Sequence, residues 1–111
     1  MSPKETTAWV DLQSHAYYMS QSHISTLFDE SPNRFAQFGF TQDNLLLDLS
    51  KQRITDETLR LLIDLAKERG LSTWIEALFN GEHINDSENR PALHTALRTP
   101  KGVKLEVDGV E

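Results

Sequence analysis

Thr55-Asp56-Glu57-Thr58-Leu59-Arg60-Leu61-Leu62-Ile63-Asp64-Leu65-Ala66-Lys67-Glu68-Arg69-Gly70 reads as a helix from end to end. Thr55 supplies a capping hydroxyl, and Asp56 and Glu57 put negative charge on the positive end of the helix dipole. Leu59, Leu62, Ile63 and Ala66 follow the i, i+3, i+4, i+7 pattern of one apolar stripe. Lys67 and Arg69 suit the other end, and Gly70 is the stop. Immediately beyond, Thr73 and Glu76 have the spacing of a capping box for a second helix. Its apolar face is Trp74, Ile75, Leu78 and Phe79, and Gly81 ends it.

Working towards the N-terminus, Thr6 or Thr7 caps a helix that runs to about Ser22, with Trp9, Leu12, Ala16 and Met19 on one face. Residues 1–5 read as a frayed lead-in. Ile24, Leu27 and Phe28 predict a short second helix. Ser31-Pro32 predicts the start of a third, which carries Phe35 and Phe38 and ends at Gly39. Leu45–Leu49 is short and continuously apolar apart from Asp48, and reads as a buried strand.

Towards the C-terminus, Asn85 with Glu88 predicts a further capping box. Leu93, Ala96 and Leu97 then face inward on a helix ending near Arg98. Val103, Leu105 and Val107 alternate with Lys104 and Glu106 as a half-buried strand would. Asp108-Gly109 is a turn signal with only Val110 and Glu111 after it. That strand is expected to pair with Leu45–Leu49 or with a partner outside the chain, so the sequence reads as truncated near 108–111. The fold class expected is mainly α with one or two short strands.

A chain of 111 residues is expected to form at most one compact unit. Its 38% apolar and 25% charged residues belong to the globular range. A net charge of −6 opposes binding to a phosphate backbone, so no nucleic-acid partner is expected. The absence of cysteine rules out disulfides and thiolate chemistry and favours a reducing, cytoplasmic setting. The N-terminal residues show no secretory leader, and no apolar run reaches membrane-spanning length.

Candidate chemistry is sparse. His15, His23, His83 and His94 include no i, i+4 pair of the metal-binding kind, and no metal is expected. Arg90, His94 and Arg98 step by four along the expected helix and form a possible anion-holding stripe, or else pair with the chain's own acids. Glu82, Asp86 and Glu88 cluster, but carboxylates near helix starts usually serve as caps. The helix pair around Gly70 has helix-turn-helix spacing, yet residues 73–80 contain no Arg or Lys to read DNA. Trp9 and Trp74 read as core anchors rather than ligand platforms. No glycine-rich phosphate loop is present.

Two blocks carry a family resemblance. Leu47-Asp48-Leu49-Ser50-Lys51-Gln52-Arg53-Ile54-Thr55 is similar to a glucose-6-phosphate isomerase segment of the form Asp-aromatic-Ser-Lys-x-Arg-Ile-Thr. Gly81-Glu82-His83-Ile84-Asn85, with Glu88, Arg90 and Leu93-His94-Thr95-Ala96-Leu97-Arg98, resembles that family's N-terminal signature. Arg34-Phe35, Phe38 and Val107-Asp108-Gly109 fit the same pattern. Leu49, His83 and Pro91-Ala92 depart from it.

The resemblance implies the N-terminal helical part, residues 1–111, of a larger αβα-sandwich protein, ahead of its sheet domains. It implies a cytoplasmic homodimer that interconverts glucose 6-phosphate and fructose 6-phosphate through a cis-enediol, in glycolysis and gluconeogenesis, without a cofactor. The family's ring-opening His–Lys pair, proton-shuttling glutamate, charge-stabilising arginine and phosphate loop match no residue here. The expected catalytic, substrate-binding and metal residues in this chain are therefore none, and the fragment alone is expected to be inactive. The expected partners are the sugar phosphate, for the full-length enzyme, and the rest of the same polypeptide, with no membrane. The alternative is a free-standing helical protein-interaction module, which would have to cover Trp9, Leu59, Ile63, Trp74 and Phe79 by itself.

Overall fold

The computed structural model describes residues 2–111. It is mainly helical, with one two-stranded antiparallel sheet among the described residues. Where the length suggests one compact unit, the chain divides into two, residues 1–65 and 66–111.

In the first unit the lead-in is ordered by its own caps. Lys4 N donates to Ser2 Oγ at 3.3 Å and Ser2 N donates to Glu5 Oε2 at 2.8 Å, a reciprocal box around a 3-10 turn at Pro3–Glu5. Thr6 then caps α1 (Thr7–Ser20), its hydroxyl accepting from Trp9 N at 3.3 Å. His23 caps α2 (Ile24–Glu30) through its ring Nδ1, which accepts from Ser25 N. The third helix, α3 (Arg34–Phe38), starts later than Ser31-Pro32 predicts. Pro32 and Asn33 form a turn closed by Arg34 N donating to Ser31 O at 3.1 Å.

Gly39 ends α3 and opens β1 (Gly39–Gln42), which pairs antiparallel with β2 (Leu45–Asp48) in the register Gly39↔Asp48 to Gln42↔Leu45. Asp43, at φ 51°, makes the connecting turn together with Asn44. The strand at Leu45 is therefore real, but its partner is the segment just before it. It is also exposed rather than buried, because nothing among the described residues covers Leu45, Leu46 or Leu47. The expected strand at Val103–Val107 does not form. Only a single bridge, Val107↔Val110, closes its turn.

The long helix is α4 (Asp56–Glu68). Thr55 O accepts from Leu59 N, while Thr58 Oγ1 accepts from Thr55 N at 2.9 Å. The buried face meets the predicted stripe only at Leu59 and Ala66, which are half-buried. Leu61 is buried and Thr58 and Leu65 are half-buried, whereas Leu62 and Ile63 are exposed. On the Thr58 side, His15 Nε2 of α1 meets Thr58 Oγ1 at 2.6 Å.

In the second unit, Gly70 (φ 64°) leads straight into α5 (Leu71–Phe79). Thr73 thus lies inside the first turn, and the Thr73–Glu76 box does not form. Ala77 is the buried position, and Trp74 is 46% exposed instead of anchoring a core. The helix closes with Glu82 N donating to Ala77 O at 3.0 Å and Gly81 N to Leu78 O at 3.3 Å. This is a Schellman motif, made possible by Gly81 at φ 74°. Asn85 and Arg90 then bridge each other around a tight loop, so Asn85 and Glu88 serve a turn and not a helix start. Pro91 pushes Arg90 towards extended backbone, and the helix expected at Leu93 shrinks to a 3-10 turn at His94–Arg98. Ala96 is half-buried, but Leu93 is exposed and Leu97 is 90% exposed.

Candidate functional site

The most organised polar site is built around Arg34, which is 2% exposed. The first turn of α3 places it over the loop between β2 and α4. Nε and Nη2 donate to Ser50 O at 3.1 and 3.0 Å, Nη2 also to Gln52 O at 3.0 Å, and Nη1 to Ile54 O at 2.9 Å. The guanidinium lies 4.7 Å from the ring centre of Phe38 and 5.5 Å from that of Phe28. A buried guanidinium keeps its charge. Here that charge is compensated by three carbonyl dipoles and two aromatic faces.

The loop it grips is braced from the other side by Asp48. Ser50 N donates to Asp48 Oδ1 at 2.8 Å, and Lys51 Nζ lies 3.1 Å from Oδ2. Hydrogen bonds from Ser50, then Lys51, lower the Asp48 carboxyl from its ordinary 3.8 to about 2. Arg34, Asp48 and Ser50 thus fix the path of Leu49–Thr55. Four of its five N–H donors are spent on backbone carbonyls, so Arg34 acts as a strut.

Two hollows in the first unit have an arginine in their lining. One, about 340 Å³, has Arg34 in its lining and Glu30, Asp56 and Glu57 beside it, and those acids oppose a phosphate. The other, about 260 Å³, is lined by Leu12, His15, Ala16, Met19, Ser20, Arg53 and Thr58. It falls below the range of roughly 300–1,000 Å³ typical of ligand sites. Its histidine is engaged by Thr58, and Arg53 Nη1 reaches Ser20 O at 3.4 Å.

In the second unit, His83 links two turns. Its Nδ1 is 3.2 Å from Asn89 Oδ1 and its Nε2 3.0 Å from Asp108 Oδ2. Asp108 first, and Asn89 second, raise the imidazole pKa above 6.5. This pairing was not readable from spacing, because the partners are far apart in sequence.

The other sequence candidates do not converge. Arg90 sits in the bridged loop and the 3-10 turn starts only at His94, so Arg90, His94 and Arg98 form no helical stripe. Asp86 and Glu88 lie in that same loop, where Glu88 accepts from Asn85. No group of three His, Asp or Glu side chains that could hold a metal occurs among the described residues.

The regular structure of both units is mainly helical among the described residues, and comparison with known proteins gives the chain a family. Residues 48–111 match the phosphoglucose isomerase family model. The chain is 45% identical over 104 residues to glucose-6-phosphate isomerase 2 of Chromobacterium violaceum, covering 94% of this chain and 19% of that protein. It is 47% identical to the glucose-6-phosphate isomerase of Mycolicibacterium smegmatis over 105 residues, 95% of this chain and 19% of that protein. With the enzyme of the same name from Pseudomonas fluorescens it shares 47% identity over 112 residues, 98% of this chain and 20% of that protein. The chain belongs to the phosphoglucose isomerase family. It spans about a fifth of the length of these relatives.

Proposed function

We propose that residues 1–111 are the N-terminal helical segment of a glucose-6-phosphate isomerase, and that they serve its folding and not its chemistry. In this reading the remaining polypeptide supplies αβα-sandwich sheet domains and every group that opens the sugar ring, moves the proton and holds the phosphate. The whole protein acts as a cytoplasmic homodimer on glucose 6-phosphate and fructose 6-phosphate, without a cofactor.

The observation that carries the reading is the 45–47% identity that runs along almost the whole chain yet covers only a fifth of the relatives. The structure adds support in its exposed apolar side chains. Ile63 is 52% exposed and Phe79 60% exposed, which suits faces awaiting further protein. No helix among the described residues is long and apolar enough to cross a membrane.

The test is substitution within the full-length polypeptide. His15→Gln, His83→Gln and Glu82→Gln are each expected to leave the pH profile of kcat for sugar-phosphate interconversion unchanged. Loss of one limb of that profile in any of the three would place acid–base chemistry in this segment and overturn the proposal.

A further inference from the structure

The only Asn-Gly pair in the sequence is Asn80-Gly81. It stands at the C-terminus of α5, in the middle of the Schellman closure. Asparagine followed by glycine is chemically labile, because no side chain shields the following backbone nitrogen from the asparagine amide carbon. Asn80 is exposed, and its side chain makes no hydrogen bond among the described residues. The attacking nitrogen is not free, however. Gly81 N–H donates to Leu78 O at 3.3 Å, and Asn80 is held at φ −80°, ψ −2° as the helix cap. Ring closure needs ψ to turn far from that value, so that Gly81 N and Asn80 Cγ come to the same side. The Gly81–Leu78 bond must break first, and the neighbouring Glu82–Ala77 bond opens with it.

We propose that Asn80 is a site of spontaneous deamidation gated by the opening of this helix end. Gly81 N loses its proton and bonds to Asn80 Cγ, and ammonia leaves, giving a five-membered succinimide. Water then opens either carbonyl, leaving aspartate or isoaspartate at position 80. Both products put a negative charge at the negative end of the α5 dipole. The isoaspartyl product also adds a backbone carbon inside the motif, which removes the spacing its two hydrogen bonds require. The modification therefore loosens the helix end that restrained it. The remaining asparagines serve as internal controls. Asn33, Asn44, Asn85 and Asn89 precede Arg, Leu, Asp and Arg, and Asn85 and Asn89 have bonded side chains.

The experiment incubates the purified protein at mildly alkaline pH, beside a short peptide covering residues 77–84. Peptide mapping and isoaspartyl methylation locate the products. The peptide is expected to convert at position 80. The protein is expected to convert there before any other asparagine, several-fold more slowly than the peptide, and sub-denaturing urea should close that gap. Equal rates in protein and peptide would overturn the gating. An inert peptide, earlier conversion at another asparagine, or an intact Asn80 in the urea-treated protein would overturn the site.

Discussion

At the scale of single residues, Arg34 carries more structure than its sequence context announces. The Arg34-Phe35…Phe38 pattern carries a family resemblance, but nothing in the spacing says that its donors reach residues 50–54. Those partners are backbone carbonyls, which have no sequence signature. Arg34→Met removes the donors and leaves three carbonyls facing an apolar chain. It should destabilise the folded state by about 3 kcal/mol, read from the denaturant midpoint. Arg34→Lys keeps the charge but lacks the planar fork, and should recover less than half of that loss. A change within about 0.5 kcal/mol for Arg34→Met, the range of ordinary surface substitutions, would show that the strut is ornamental. Titration at two residues has opposite signs. Asp48 is held low, so its contribution to stability is full above its ordinary 3.8 and is lost as pH falls towards about 2. His83 is held high, so its contribution is full below 6.5 and disappears as pH rises through the raised value. Nuclear magnetic resonance titration should find His83 protonating above 6.5, and Asp108→Asn should lower that midpoint. An unchanged midpoint would remove Asp108 as the cause.

At the scale of elements, most helix ends are legible from local chemistry, while the Thr73–Glu76 and Asn85–Glu88 boxes and the buried faces are not. Thr6 capping α1, Gly39 ending α3 and Gly70 ending α4 are all local chemistry, and the structure shows each. The face that α4 buries is legible only in part. Leu59 and Ala66 of the apolar stripe are half-buried, but Leu61 is the buried position and Leu62 and Ile63 are exposed, a choice that tertiary packing makes and periodicity does not. The hairpin is not legible in the sequence because Gly39-Phe40-Thr41-Gln42 is too short and too polar for a period-two pattern, and Asp43-Asn44 lacks the glycine that marks the commonest turns. Two glycines at element ends separate local strain from crowding. Gly70 has φ 64° and open space around a would-be Cβ, so Gly70→Ala should cost about 1–2 kcal/mol of backbone strain alone. At Gly39 the φ is an ordinary −96°, but a Cβ would lie 2.5 Å from Phe35 O. Gly39→Ala should therefore cost more, roughly 3 kcal/mol, because backbone must move. Thermal unfolding of the two variants checks the order, and a reversed order would contradict the crowding at Gly39.

At the scale of the whole molecule, the sequence spoke most clearly through its family blocks and least clearly through its core. The stretches Leu47–Thr55 and Gly81–Arg98 pointed to the isomerase family, which the comparisons then showed. Neither block becomes a pocket with convergent acid, base and cation. The first becomes a loop clamped by Arg34, and the second a bridged loop and a 3-10 turn. The proposed division of labour has these residues brace a scaffold while groups outside them carry out the isomerisation. Turnover is its most direct test. The purified 111-residue chain should show no interconversion of glucose 6-phosphate and fructose 6-phosphate above buffer, while the full-length polypeptide, assayed in parallel, converts both. Saturable turnover by the 111-residue chain, abolished by a substitution within it, would contradict the account.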